Sequence, residues 1–238
     1  MLKVSAEDIR LKIGVQMSSV QNISGYKYSH AELNESHDIL VPCLLKMLSS
    51  IEDKLYGKKL FELGCGNGSV ANILVGKGYD VVGIDASTEG ISFARKHYPQ
   101  LKLYQGSAYD DLRGTYGQFD ILVSLEVVEH LYDPRQFAAA AYDLLKPGGF
   151  AILSTPYHGY WKNLALSISG KMDQHFTVLW DHGHIKFWSV KTLTQLLSEA
   201  GFADIDFARI GRIPPLAKSI VAVARKPVET SPTKDLAH

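Results

Sequence analysis

Cysteine is nearly absent. The 238 residues hold two, Cys43 and Cys65, with no CxxC pair, so neither a disulfide framework nor a cysteine-based zinc site is available. Charge of one sign is not in surplus either: 25 Lys+Arg stand against 25 Asp+Glu. That excludes a nucleic-acid binder working through bulk positive charge. No apolar run approaches the roughly 18 residues that a membrane-crossing helix needs. The opening stretch, MLKVSAEDIRLKI, mixes charges among its apolar positions and lacks the hydrophobic region of a secretion signal; the expected compartment is the cytoplasm. There is no internal repeat. What is present is ordinary for a globular protein, 46% hydrophobic and 21% charged, too apolar for wholesale disorder. A chain of this length buries a sizeable core without staples, and one large α/β domain is a simpler reading than two.

Residues 1–36 are polar and irregular, with SGYKYSH as their one aromatic cluster, and read as an N-terminal lid or irregular segment. Residues 37–52 carry Leu40, Leu44, Met47, Leu48 and Ile51 at helical spacing, with Pro42 close enough to the start to be tolerated. From 58 to 155 strand and helix alternate. Strands are expected at 58–64, 79–85, 101–106, 119–125 and 150–156, and helices at 67–77, 88–97 and 133–146. Short runs of Val, Ile and Leu between helices imply a parallel sheet covered on both faces. Residues 157–188 break this rhythm as a cap insert; 189–201 is helical again; 202–210 and 217–225 look like two closing strands. The expectation is an α/β domain over 37–226. It holds a seven-stranded, mostly parallel sheet with helices on both faces and a terminal antiparallel hairpin. The tail 227–238 has Pro, Thr, Ser and charge without periodicity and reads as disordered.

The strongest signal is FELGCGNGSV at 61–70. A strand runs into Gly64-Cys65-Gly66-Asn67-Gly68 and a helix follows. Three glycines let the backbone turn tightly and let a ligand touch the main chain. Asp85 ends the next strand, where an acid accepts hydrogen bonds from a ribose diol. The dinucleotide fingerprint fails, because its third glycine would fall on Ser69, and Glu62 would repel a pyrophosphate. This disfavours an NAD-dependent oxidoreductase. No GK[ST] follows, so the P-loop fails too. A nucleoside with an amino-acid arm and no phosphate fits best, which describes S-adenosylmethionine (SAM). The plain alternative is a bare strand–helix turn.

Together ELGCGNG, GIDAS, LVSLEVVEHLYDP and LKPGGFAILSTP resemble a class I SAM-dependent methyltransferase, over roughly residues 40–225. EVVEH, followed by the insert and then FWS, resembles the ubiquinone-biosynthesis O-methyltransferases within that superfamily. The resemblance implies a Rossmann-like fold and a set of SAM contacts. Glu62, Gly64, Cys65, Gly66 and Gly68 would surround the methionine arm. Asp85 would take the ribose hydroxyls, with Ala86 and Ser87 beside the adenine. Ser107 and Ala108 would reach the adenine edge; the family often has Asp at the position of Ser107, and serine is the weaker acceptor. The main chain near Ser124 and Leu125 would line the sulfonium end.

Methyl transfer from a sulfonium is an in-line displacement in which the protein mainly positions donor and acceptor. A phenolic acceptor must also lose a proton, for which His130, just past the fourth strand, is the candidate base. Glu126, Glu129 and His130 would share one face of a helical turn. They would then either hold a hard divalent cation, an arrangement the ubiquinone-type resemblance also implies, or hydrogen-bond neighbouring backbone. The insert holds all three tryptophans (Trp161, Trp180, Trp188) and His158, His175, His182 and His184. It reads as an acceptor pocket or a second small core. Asp181-x-Gly-His184 is a weak metal pattern. Tyr160, Trp161, Leu164, Ala165 and Ile168 would form one helical face, packed on the domain or lying on a membrane surface. The expected partner is a small-molecule methyl acceptor, with peripheral membrane contact as one reading and no nucleic acid. Oligomeric state leaves no mark in the sequence. The expected reaction is O-methylation. The alternatives are methylation at nitrogen or carbon of a natural product or sugar, and a non-catalytic SAM-binding module.

Overall fold

The computed structural model describes residues 32–228. The expectations for the N-terminal segment up to residue 31, and for the tail beyond 228, lie outside the described residues. In chain order the elements are α1 (His37–Ile51), β1 (Lys59–Leu63), α2 (Ser69–Gly76), β2 (Asp80–Asp85), α3 (Thr88–His97) and β3 (Lys102–Gln105). Then follow α4 (Leu112–Tyr116), β4 (Phe119–Leu125), a 3-10 turn (Val128–His130), α5 (Pro134–Asp143) and β5 (Leu145–Pro156). The chain closes with α6 (Tyr160–Ile168), α7 (Met172–Phe176), α8 (Val190–Glu199), β6 (Ala203–Ile210) and β7 (Ser219–Arg225).

The strands form one seven-stranded sheet in the order β3-β2-β1-β4-β5-β7-β6. The pairs among β1 to β5 are parallel, while β7 runs antiparallel to both β5 and β6. This is the expected sheet with its terminal hairpin. The hairpin's last strand inserts between β5 and β6, so β6 takes the edge.

Period-two alternation divides the core. Phe61, Leu63, Leu122, Ala151 and Leu153 pack on one face with Leu112 of α4, Phe137 and Ala141 of α5, and Leu193, Leu196 and Leu197 of α8. Leu60, Ile121, Val123, Phe150 and Ile152 pack on the other, against Leu40, Leu44 and Leu48 of α1, Val70 and Leu74 of α2, and Ile91 and Ala94 of α3. Each face therefore carries three helices, which is why the central strands read as nearly continuous apolar runs. Helix α1 continues through Pro42, held by the burial of Leu40, Val41, Leu44, Leu48 and Ile51.

Strand β5 begins earlier than expected, at Leu145 rather than 150. Phe119 pairs with Leu145 and Ile121 with Phe150, so the sheet absorbs Lys146–Gly149 as a bulge. Gly148 takes φ +82° there, a conformation that punctuates a strand without ending it. Parallel strand order reverses between β1 and β4, and ligands of open α/β sheets bind at the carboxyl edge beside such a switch point. Among the described residues no helix is long and apolar enough to cross a membrane.

Candidate functional site

The carboxyl edge of β1 turns sharply. Gly64, Gly66 and Gly68 have φ of +91°, +50° and +79°, the left-handed region that a side chain disfavours. A Cβ at Gly64 would run into the Val127 side chain, and one at Gly68 would come within 2.7 Å of Leu103 Cδ1. The N–H groups of Gly64 and Cys65 both donate to the Ile84 carbonyl, at 2.8 and 2.9 Å, stitching the turn to β2. Gly68 caps α2.

Asp85 completes the stitch. Its Oδ2 accepts the Gly66 N–H at 2.9 Å and its Oδ1 accepts the Ser87 N–H at 2.7 Å. Burial pushes its carboxyl upward, and those two bonds pull it back. Ser87 is fully buried and its hydroxyl accepts the Gly90 N–H at 3.0 Å, capping α3; Ala86 is half-buried beside it. Glu62 is 3% exposed, and its Oε2 has no hydrogen-bond partner. Burial, then the charge of Asp85, holds its carboxyl well above the ordinary range.

The other expected cofactor residues lie on the same edge. Ser107 and Ala108 follow β3, half-buried. The Ser107 N–H donates to Asp110 Oδ2 at 2.7 Å, and its hydroxyl accepts the Tyr109 N–H at 3.2 Å. Ser124 is buried, with its hydroxyl donating to the Leu63 carbonyl at 2.7 Å, so it ties β4 to β1. Leu125 is half-buried at the strand's end.

Beyond β4 the expected helical face is not formed. Glu126 has φ +54°, and only Val128–His130 makes a 3-10 turn. Glu126 turns to β5, where its Oε1 accepts the Ser154 hydroxyl at 2.8 Å. Burial pushes its carboxyl up to about 7, against the Ser154 bond and the charge of Lys162. Glu129 and His130 meet His184. The N–H groups of Ile185 and Lys186 donate to the Glu129 carbonyl at 2.9 and 3.0 Å, folding the insert over the turn. His184 Nε2 then lies 4.0 Å from Glu129 Oε1. Glu129 is 1% exposed, neither of its carboxyl oxygens has a hydrogen-bond partner, and burial plus Glu126 holds its carboxyl well above the usual range. One ligand atom each from Glu129, His130 and His184 lies within 4.8 Å of the others.

His130 Nδ1 sits 3.0 Å from the His182 carbonyl and 3.2 Å from that of Gly183. A carbonyl only accepts, so Nδ1 carries the proton and Nε2 keeps a free lone pair. Burial lowers the imidazole below its ordinary value, leaving it neutral at pH 7. Its ring packs edge-on against Trp180 and His184, with centroids 5.9 and 4.8 Å apart.

A cavity of about 560 Å³ opens beside this cluster, with His184, His158, His175, Phe176 and Phe187 in its wall. The insert's aromatics thus divide. Trp188 is 8% exposed and joins the core, whereas Trp161 on α6 is 63% exposed. Two features were not legible in the sequence. His184 joins His130 across more than fifty residues, and the cavity's far wall comes from the β6–β7 connection.

Residues 42–206 match the family model described as a methyltransferase domain. The ubiquinone biosynthesis O-methyltransferase of Cereibacter sphaeroides (strain ATCC 17025) is 34% identical over 157 residues, covering 63% of this chain and 62% of that protein. Its namesake from Psychrobacter arcticus is 32% identical over 158 residues, covering 64% and 62%. The chain therefore matches less than two thirds of the length of these relatives. Among solved structures, magnesium protoporphyrin IX methyltransferase from Synechocystis, with bound SAH, superimposes with TM-score 0.61 at 17% identity, over 79% of this chain and 82% of that one. A possible histamine N-methyltransferase from Thermotoga maritima gives 0.55 at 19% identity, over 76% and 88%. These two likenesses establish the fold alone.

The Asp85 geometry gives a prediction that needs no ligand. Both its oxygens face N–H donors, so Asp85→Asn must set an amide NH₂ against one of them. The variant should lose about 1–3 kcal/mol of stability, the typical penalty for an unpaired buried donor. Urea unfolding of the free protein measures this; an unchanged midpoint would show that the turn holds without the clamp.

Proposed function

The chain belongs to the methyltransferase-domain family and transfers methyl groups from SAM, and on that premise we propose that its acceptor is a hydroxyl oxygen of a small molecule, with His130 as the base. The observation that carries the cofactor side is the buried carboxyl of Glu62, whose Oε2 has no hydrogen-bond partner, beside a three-glycine turn. A buried acid without a partner is costly, and a cationic ligand relieves it. Glu62 would accept from the ammonium of the methionine arm, and Gly64, Cys65, Gly66 and Gly68 would bring main chain against that arm. Asp85 has spent one lone pair per oxygen on backbone, which leaves capacity for two ribose hydroxyls. Ala86, Ser107 and Ala108 would border the adenine; the Ser87 hydroxyl is committed to its helix cap. The backbone at Ser124 and Leu125 would border the sulfonium. SAM supplies a methyl group on a positively charged sulfur that departs as a neutral thioether.

On the acceptor side, His130 Nε2 would take the hydroxyl proton as the methyl group arrives. The names of the relatives support oxygen over nitrogen or carbon as the acceptor atom. A second reading rests on the Glu129, His130 and His184 cluster. Two imidazoles and a carboxylate without hydrogen bonds suit a divalent cation, which would lower the acceptor's pKa by holding its oxygen.

Helix α6 supports a lipid-facing role for the insert. It buries Lys162 and leaves Tyr160, Trp161 and Ile168 at 73%, 63% and 80% exposure, with Val178 and Leu179 exposed just beyond. An apolar outer face of this kind binds an interface. The full chain should co-sediment with vesicles of mixed neutral and anionic lipid, and Trp161→Ser with Ile168→Ser should abolish this. Equal sedimentation of variant and parent would remove the lipid reading.

Two measurements address the chemistry. Binding the cationic arm needs an ionised Glu62, whose carboxyl is raised in the free protein. SAH affinity should therefore climb as pH rises above the ordinary carboxylate range, with release of a proton. Glu62→Gln should flatten that dependence and bind at least about tenfold more weakly. Isothermal titration in buffers of different ionisation heat reads both quantities, and a pH-dependence that survives in the variant would assign the proton elsewhere.

His130→Ala should lower kcat by about 10²-fold with little change in SAM affinity. Because burial depresses the imidazole, the acid limb of the wild-type rate should lie below the ordinary value of about 6.5. EDTA separates the two readings. Loss of wild-type activity to EDTA, restored by Mg²⁺, transfers the role to the cation; indifference to EDTA leaves the base. A fully active His130→Ala protein would refute both.

A further inference from the structure

The cavity beside His184 is walled by cations. Lys162 from α6, Lys171 from the α6–α7 link, and Arg212 and Lys218 from the β6–β7 connection all line it, and no aspartate or glutamate does. None of the four makes an ion pair among the described residues. Lys162 is 8% exposed and spends its ammonium on main chain, donating to the Tyr157 carbonyl at 2.7 Å and to that of Lys218 at 3.4 Å. His175 Nε2 is buried in the same wall with no hydrogen-bond partner. His158, His184, Ser169 and Ser219 also line it, and Leu166, Phe176, Phe187 and Leu216 give it apolar surface.

Like charges gathered in a partly buried space repel, and the titrating groups record it. Lys162 is pushed down to about 8, by burial first and then by Arg212, with Glu126 opposing. His158 is pushed down to about 4 by burial, Lys162 and His175. His175 is lowered by burial, Lys162 and Arg212. Glu126 is the one acid that acts on Lys162, and it lies outside the cavity wall, bonded to Ser154. Solvation alone gives no reason for two segments some forty residues apart, α6 with its following link and the β6–β7 connection, to bring cations to one hollow. An anionic ligand offsets the repulsion of all of them.

We propose that this cavity is the acceptor pocket and that it selects a methyl acceptor carrying an anionic group, such as a carboxylate, on an aromatic body. The inference rests on the methyltransferase reading and names the substrate class of that site. The placement suits it. Pro156 and Ser219 in the cavity wall pair across β5 and β7 at the sheet's carboxyl edge. His184, also in the wall, touches His130. An acceptor held at its anionic end by Arg212, Lys171 and Lys218 has its ring among Phe176 and Phe187 and its hydroxyl toward His130.

The test uses the full chain saturated with SAH and titrates 4-hydroxyphenylacetate, its neutral amide 4-hydroxyphenylacetamide, and inorganic phosphate. The acid should bind at least about tenfold more tightly than the amide, as a charge-assisted pair requires. Arg212→Gln, at an exposed position, should bring the ratio near one while leaving SAH affinity unchanged. Lys171→Gln should reduce it in the same sense and serves if the first variant misfolds. An acid no tighter than the amide, including no binding of either, overturns the proposal. So does a preference that both variants retain in full. Inorganic phosphate competing as well as the aromatic acid would make this a free-anion site and overturn the acceptor assignment. SAH failing to bind the wild type would instead refute the cofactor reading, and the acid-to-amide ratio would still decide the pocket.

Discussion

The site depends on one carboxylate. Asp85 accepts a backbone N–H from the turn after β1 and another from the turn after β2, so a single side chain sets the relative position of two loops that differ in sequence by some twenty residues. The glycine turn has no side chain of its own with which to hold its shape; its left-handed residues are permitted by glycine but not enforced by it. Enforcement comes from Asp85 and from the Ile84 carbonyl, which accepts two consecutive N–H groups. Without that anchoring, nothing in the turn's own side chains would hold its left-handed residues in place.

Buried charge is treated in two ways in this fold. Away from the carboxyl edge it is satisfied. Asp120 accepts the Lys59 N–H and the Lys146 ammonium, and Lys226 donates to the carbonyls of Tyr142 and Leu145 while lying over the Tyr142 ring. At the carboxyl edge Glu62 and Glu129 keep buried oxygens without partners. The contrast locates function by energetics. Unpartnered buried carboxyls destabilise a fold, and their place at this edge is what the proposed cofactor and acceptor roles would account for.

Much of this was legible in the sequence because it is local. Apolar runs of five to seven residues between helical stretches, and three glycines after a strand, each report a structure a few residues long, and the sheet, its helices and the Asp85 position follow from them. The misreadings have physical causes. Pro147-Gly148-Gly149 looks like a turn, yet the sheet takes it in as a bulge because Leu145 still pairs with Phe119. The spacing of Glu126, Glu129 and His130 fits a helix, yet Glu126 adopts a left-handed backbone and bonds Ser154 on the neighbouring strand, a partner twenty-eight residues away. Tertiary hydrogen bonds outweigh helical spacing over so short a segment. His184 and Arg212 reach the site by long-range folding alone, and no local pattern announces that.

Helix α6 shows how far that folding can reverse a local reading. Its aromatic stripe would ordinarily face a core, but the inward position is taken by Lys162, whose ammonium caps the ends of β5 and β7 through the Tyr157 and Lys218 carbonyls. A lysine stem of four methylenes can cross the helix's footprint and place its charge where backbone acceptors are unmet. Once Lys162 points inward, the stripe of Tyr160, Trp161 and Ile168 must point outward. The same helix then presents a cation to the cavity and an apolar surface to the exterior. These are the two complementary faces that an acceptor with a polar head and an apolar remainder would encounter on its way to His130.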